Sequence, residues 1–327
     1  MAVFTEVSPQ QAQSLLDQLE LGSLTSLKGI QGGIENTNYF LTAEKDGAQH
    51  EWVLTLFERL SQQQLPFYLD LMHHLAKAGI PVPDPVAEPN GNLLHNLCGK
   101  PAAVVNKLSG QSQLSPQANH CAELGRTLAQ MHLAARDFDG QQPNLRGLPW
   151  WQEVIPGLLE HVTPEQASLL NAELAFQTQL HHSSAYAALP KGTVHADLFR
   201  DNVMFSGDTL TGIFDFYFAG VDTWLFDLAV AINDWCADLE TGELSHSRTL
   251  ALLSAYEQVR PLTAAERRLF NPMLRAAAMR FWTSRLWDYY LPREASMLQP
   301  HDPTRFERVL RARIHAPLQL NEMMATT

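Results

Sequence analysis

Val194-His195-Ala196-Asp197-Leu198-Phe199-Arg200-Asp201-Asn202-Val203-Met204-Phe205, followed by Ile213-Phe214-Asp215-Phe216, is the part of this chain whose reading decides the fold. A histidine, an aspartate and an asparagine precede a short apolar strand, and a second aspartate follows, flanked by apolar residues. Transfer of a phosphoryl group from a nucleoside triphosphate needs one carboxylate to position or deprotonate the acceptor hydroxyl. It also needs an amide and a second carboxylate to hold magnesium. Asp197 suits the first role, and Asn202 and Asp215 the other two. Their hard oxygens suit magnesium, which keeps its remaining positions for phosphate and water. His195 is read with Asp197 as part of the catalytic centre, tying the loop to the Asp215 segment.

Working outward, 327 residues is long for one core and suggests two unequal domains, 1–107 and 108–327. With 45% hydrophobic and only 18% charged residues the chain has ample material to fold, which excludes a disordered polypeptide. A net charge of −12 repels nucleic acid and anionic membrane surfaces, so neither is expected as a partner. Cys98, Cys121 and Cys236 are scattered without metal-ligand spacing, as expected of thiols in a reducing cytoplasm. The first residues lack signal-peptide order and no apolar run approaches ~18 residues, so a soluble cytoplasmic protein is expected.

Ser8-Pro9-Gln10-Gln11 reads as a helix start, with Leu15, Leu16 and Leu19 as its apolar face. Three antiparallel strands follow between Leu24 and Phe57, then a helix over 65–78 ended by Gly79, and two strands near Leu93-Leu94 and at 101–106. Lys107-Leu108-Ser109-Gly110 is short and polar enough for a hinge. Beyond it, Ser115-Pro116, Thr163-Pro164 and Thr263-Ala264-Ala265-Glu266 start helices at about 116–136, 164–182 and 264–290, with another at 246–259. Strands in this half are restricted to Thr193-Val194, 202–205 and 212–216. Asp227 opens a further helix, a position that suits capping that helix or holding the loop before it.

Gly29, Gly32 and Gly33 lie between predicted strands, where glycines let backbone N–H groups approach phosphate. Glu35, Asn36 and Asn38 beside them either face phosphate or stabilise a hairpin. Val105 and Lys107, at the hinge, are candidates for contact with adenine. His181 and His182 are adjacent and belong to no helical His-x-x-x-His frame, so they make no zinc site with His195.

Together these features resemble the aminoglycoside-phosphotransferase-like branch of the kinase fold, and within it most closely the bacterial type II homoserine kinases. The likeness rests on Gly33 to Tyr39, Val53 to Glu58, His195-Ala196-Asp197-Leu198-Phe199, Asp215-Phe216-Tyr217-Phe218 and Arg280 to Leu286, and runs over nearly the whole chain. It implies an α+β, two-lobed fold with a small antiparallel-sheet lobe and a larger helical one. It also implies transfer of the ATP γ-phosphoryl group to the hydroxyl of L-homoserine, with Mg2+. A kinase for another small hydroxyl compound, such as an aminoglycoside, choline or a methylthio-sugar, is the alternative. Most kinases carry a lysine or arginine where this chain has Thr55, a threonine shared by the homoserine-kinase branch. Tyr217 stands where a protein kinase has glycine, which argues against that class. An acceptor bearing both an ammonium and a carboxylate needs a buried partner for each. Arg280 or Arg285 is the candidate for the carboxylate, and Asp201 or Asp222 for the amine.

Overall fold

The computed structural model describes residues 4–30, 36–291 and 302–320. The chain packs as two compact units, against an expected boundary after Lys107. One comprises Met1–Gly110 with Phe138–Gly140 and Thr211–Phe214, and the other Gln111–Asp137, Gln141–Leu210 and Asp215–Thr327.

In the first unit α1 (Pro9–Gln18) begins with the reciprocal cap read from the sequence: Ser8 Oγ accepts from Gln11 N, and Gln11 Oε1 from Ser8 N. The strands β1 (Ser23–Gly29), β2 (Asn36–Lys45) and β3 (Ala48–Phe57) form the expected antiparallel set, and α2 (Leu65–Lys77) follows. β4 (His95–Leu97) and β5 (Lys100–Asn106) complete a sheet ordered β1-β2-β3-β5-β4. β4 forms later than the expected Leu93-Leu94 because Cys98 and Gly99 both adopt positive φ, 54° and 74°, and make the two-residue hairpin that pairs Leu97 with Lys100. Successive side chains of a strand point to opposite faces, so Leu54 and Leu56 enter the core with Tyr39, Leu41 and the α1 leucines. Thr55 therefore lies on the other face, in register with Asn38 and Ala103.

The second unit runs through β6 (Gln111–Ser112), α3 (Ala118–Ala134), α4 (Leu148–Leu158), α5 (Pro164–His181), α6 (Ser184–Ala187), β7 (Lys191–Val194) and β8 (Val203–Ser206). It continues past β9 (Thr209–Ile213), where the division falls, to β10 (Gly220–Thr223), α7 (Trp224–Trp235), α8 (His246–Val259), α9 (Ala264–Tyr290) and α10 (Thr304–His315). α3 and α8 approach so closely at Gly125 that an added Cβ would lie 2.1 Å from Leu252 O. α3 starts at Ala118, after the expected Ser115-Pro116. No helix among the described residues is long and apolar enough to cross a membrane.

All of α7 is buried, including Asp227, Asn233 and Asp234. Buried polar groups cost free energy unless paired, and each of these holds another segment in place. Asn233 Oδ1 accepts from Arg313 Nε on α10 at 3.0 Å, and Asp234 pairs with Arg305 of the same helix. α10, for which the sequence reading has no signal, is thus tied by two of its arginines to the fully buried α7.

Candidate active site

β7 pairs with β10 from Val194↔Gly220 to Lys191↔Thr223 and delivers the chain to His195. There Ala196 takes a left-handed φ of 63°, which costs a side-chain-bearing residue roughly 1–2 kcal/mol. Two charge-assisted bonds offset that cost: Asp227 Oδ2 accepts from His195 N at 2.9 Å and Oδ1 from Ala196 N at 2.8 Å. Asp227 is not the cap of α7, as one reading of the sequence had it; Thr223 Oγ1 accepts from Phe226 N and fills that place. Burial pushes the Asp227 carboxyl up, but His132 and the loop N–H groups outweigh it and hold it below the usual carboxylate range.

Behind Asp227 runs a buried chain of polar contacts. His132 Nε2 lies 3.1 Å from Asp227 Oδ2, and its Nδ1 2.8 Å from Tyr256 Oη. Tyr256 Oη accepts from Arg260 Nη1 at 3.1 Å, and Arg260 Nη2 donates to Glu266 Oε1 at 2.8 Å. Glu266 is the capping-box residue of α9. Burial depresses the His132 pKa, so the ring is neutral, and assigning its proton to Nε2 lets every donor in the chain find an acceptor.

Asp197, at the end of this support, donates its N–H to His195 Nδ1 at 3.2 Å and accepts from Asn202 Nδ2 on its carbonyl, at 2.8 Å, and on Oδ2, at 3.3 Å. With Nδ2 so engaged, Asn202 Oδ1 is left to face a cation. Asp215 is exposed, at a left-handed φ of 65°, and its charge reaches Asp197. His195 is fully buried, its ring 4.6 Å from that of Phe216 beside Asp215. Burial raises the Asp197 pKa to about 7, against the pull of Arg280 and with repulsion from Asp215 added.

Arg280, on α9, brings Nη2 to 4.0 Å from Asp197 Oδ1. Its guanidinium packs over the Phe281 ring at 3.8 Å and the Phe218 ring at 5.1 Å. Arg280 is only 4% exposed, yet Nε and Nη2 are buried with no hydrogen-bond partner among the described residues. Burial pushes its pKa down to about 10. Arg285 is half-buried on the same helix and also feels Asp197 and Asp201.

Asp201 is exposed at its side chain, and its carbonyl accepts from Ser112 Oγ at 3.0 Å. Asp222 is engaged internally: Oδ2 accepts from Asn144 Nδ2 at 2.8 Å, Oδ1 from Thr223 N at 2.6 Å, and Tyr186 bonds to the same carboxylate. It shapes the 144–147 loop. Arg146, on that loop, carries no motif signal and is absent from the sequence reading; the structure places its guanidinium 4.5 Å over the Trp150 ring and 5.4 Å over Trp287 on α9.

Of the residues singled out in the first unit, Gly32 and Gly33 lie outside the described residues, as does Glu35, and Gly29 closes β1. Asn38 Oδ1 accepts from Thr55 Oγ1 at 2.7 Å, a neutral pair where most kinases have a cation. A Lys–Glu pair does occur further along β3 and β5, where Lys100 meets Glu58, whose Oε1 also accepts from Thr37 and Thr5. Val105 is buried in β5. Lys107 pairs with Glu51 at 2.8 Å and lies over the Phe40 ring.

Residues 26–262 match the model of the phosphotransferase enzyme family. The chain belongs to that family. A homoserine kinase of Polaromonas naphthalenivorans (strain CJ2) is 59% identical over 320 residues, covering 98% of this chain and all of that one. One from Ralstonia nicotianae is 57% identical, covering 97% and 96%. Among solved structures, an amicoumacin kinase aligns with a TM-score of 0.67 at 18% identity, covering 96% of this chain and 93% of that one. A microcompartment-associated aminopropanol kinase aligns at 0.64 and 16%, covering 97% and 98%. The fold of this phosphotransferase is the kinase-like one those structures share.

Proposed function

We propose that this phosphotransferase is a homoserine kinase, moving the γ-phosphoryl group of ATP to the side-chain hydroxyl of L-homoserine to give O-phospho-L-homoserine, a step of threonine biosynthesis, in the cytoplasm. The near-full-length relatives supply the candidate acceptor. The observation that carries the reading is Arg280, a buried guanidinium whose Nε and Nη2 make no hydrogen bond among the described residues and whose ion pair with the Asp197 carboxylate is long, at 4.0 Å. Buried N–H donors left without hydrogen bonds next to the catalytic base suit an anionic group on the acceptor, and homoserine brings a carboxylate.

In this reading Asp197 accepts the hydrogen bond of the acceptor hydroxyl and takes its proton as the new O–P bond forms. A pKa raised by burial to about 7 makes it a stronger base than an ordinary carboxylate. Asn202 Nδ2 fixes the carboxylate's orientation, and His195 fixes the Asp197 backbone. Asn202 and Asp215 are the residues that would hold magnesium, which when bound neutralises charge on the triphosphate. Their oxygens fit a hard cation, and two protein ligands leave room for phosphate and water. Arg280, with Arg285 behind it, takes the carboxylate. Asp201, exposed and electrostatically linked to Asp197 and Arg285, is better placed for the ammonium than Asp222, whose oxygens are occupied. Gly29, Gly32, Gly33, Asn38, Val105 and Lys107 are assigned to the nucleotide.

The test is magnesium-dependent ADP release over L-homoserine, an aminoglycoside, choline and a methylthio-sugar, with Asp197→Asn as control. Homoserine is expected to give the highest kcat/KM. Turnover of another acceptor with none of homoserine overturns the substrate and leaves the phosphotransferase assignment standing.

A further inference from the structure

Leu198, Phe199 and Arg200, which follow Asp197 on the way to Asn202, are each held by an element far along the chain. Leu198 O accepts from Trp235 Nε1 at 3.1 Å. The Phe199 ring lies 4.3 Å from Phe281 of α9 and stacks on Phe306 of α10, with centroids 5.7 Å apart and planes at 15°. Arg200 donates its backbone N, at 2.9 Å, and its Nε, at 3.0 Å, to Asp234 Oδ2, and its Nη1 to Leu114 O at 3.0 Å. Arg200 opens the single turn Arg200–Asn202, which Asn202 N closes on Phe199 O at 3.0 Å. The Asp234 carboxylate therefore fixes where that turn begins, and Asn202 stands at its end. Asp234 is only 1% exposed, and both of those bonds from Arg200 fall on one of its oxygens. The other, Oδ1, pairs with Arg305 of α10. A buried carboxylate is costly unless both oxygens are met, and one held at a single oxygen can turn about its Cβ–Cγ bond. Arg305 prevents that turning. Phe306 beside it also stacks on Phe281, at 5.1 Å and 29°. Adjacent residues of α10 thus grip adjacent residues of the loop: Phe306 meets Phe199 directly, and Arg305 holds Arg200 through Asp234.

We propose that Arg305 is a positioning residue for the metal site: by fixing the Asp234 carboxylate it holds the Arg200–Asn202 turn, and with it Asn202 Oδ1, while Phe306 braces the same loop. This rests on the reading of Asn202 as a magnesium ligand and adds to it a dependence on α10, which lies far beyond the catalytic motifs in sequence. Arg305 keeps 27% of its side chain exposed, so replacing it opens no sealed cavity in the core.

The test is an electron-paramagnetic-resonance titration of the full chain with Mn2+ in the presence of ADP, for wild type, Arg305→Met, Arg305→Lys and, as control, Asn202→Ala. Mn2+ takes the same oxygen ligands as magnesium and reports binding without turnover. Groups that orient a metal ligand typically affect metal affinity about 10- to 100-fold, and Arg305 acts through two intermediaries, so Arg305→Met is expected to raise the Mn2+ Kd by about tenfold. The magnesium concentration for half-maximal turnover should rise with it, while the homoserine KM stays within about threefold of wild type. A simple loss of folded protein would scale kcat and move neither Kd nor KM. Arg305→Lys keeps the charge and loses the planar fork, so its Mn2+ Kd should fall between the two. It also serves as the test if Arg305→Met fails to fold. A Mn2+ Kd within about twofold of wild type in every folded Arg305 variant overturns the proposal, and so does a raised homoserine KM with metal affinity intact. Those outcomes leave the metal reading standing as long as Asn202→Ala weakens Mn2+ binding, whereas an Asn202→Ala variant that binds Mn2+ as wild type does overturns both.

Discussion

The chain behind Asp227 and the corner around Arg280 are both buried and both built from charged and aromatic side chains, yet they are satisfied to opposite degrees. From Asp227 through His132, Tyr256 and Arg260 to Glu266, each named group meets a partner within 3.1 Å. Arg280 has two nitrogens with none among the described residues. A fully paired network rigidifies, and an unpaired buried donor costs about 1–3 kcal/mol that a ligand can recover. The first region therefore holds the loop in its left-handed turn, and the second is, in the proposed reading, where the acceptor binds. Both are fastened to α9, whose first turn carries Glu266 and whose later turns carry Arg280 and Trp287.

The difference can be broken most severely at the point both regions serve. Asp197→Asn is expected to lower kcat by about 10²–10⁴-fold with little change in the ATP KM, as single-turnover and steady-state assays would show. Kept kcat would remove Asp197 from the base role. The same residue gives a pH signature. Its folded pKa, near 7, lies above its ordinary 3.8, so the folded chain binds the extra proton between those values and its stability falls as pH rises through that window. The variant, free of that charge, should melt higher than wild type at pH 8, with the gap closing toward pH 4; the free enzyme's kcat/KM should show an acid limb near pH 7. A wild type as stable as the variant at pH 8 would contradict the burial of this charge.

Next in size is the satisfied region. Asp227→Asn takes the charge out of three buried hydrogen bonds and sets an amide N–H2 against at least one buried donor, and chemical denaturation should show a loss of about 3 kcal/mol or more. A loss under about 1 kcal/mol would mean the network does not hold the loop. The smallest effect belongs to Tyr256→Phe, which keeps the ring and removes one hydroxyl between His132 and Arg260. A destabilisation of about 1–3 kcal/mol is expected, with the homoserine KM unchanged. A raised KM without destabilisation would show that the holding chain tunes the substrate corner directly.

Much of this was legible in sequence where the physics is local. The Ser8–Gln11 and Thr263–Glu266 caps, the three-strand run and the bonds within the His195-to-Asn202 loop join residues near one another in the chain. What was not legible depends on contacts distant in the chain. α10 is strongly charged, and the contacts that fix it come from far along the chain, among them Arg305 and Arg313 reaching α7 and Phe306 against Phe199 and Phe281. α4 starts at Leu148 after Gly147, which has no side chain to cap it. Asp222 reads as an available carboxylate until Asn144, Thr223 and Tyr186 are seen to occupy it. Arg146 sits in an unremarked loop, and nothing near it in sequence foretells Trp287 beneath it.

The proposal that Arg280 receives the acceptor's carboxylate is tested most directly by the ratio of kcat/KM for L-homoserine to that for 3-aminopropan-1-ol, its analogue without the carboxylate. Measured in wild type and Arg280→Met, the ratio is predicted to fall at least about tenfold in the variant, because only homoserine loses a contact. An equal loss on both acceptors, with the ratio unchanged, would contradict it.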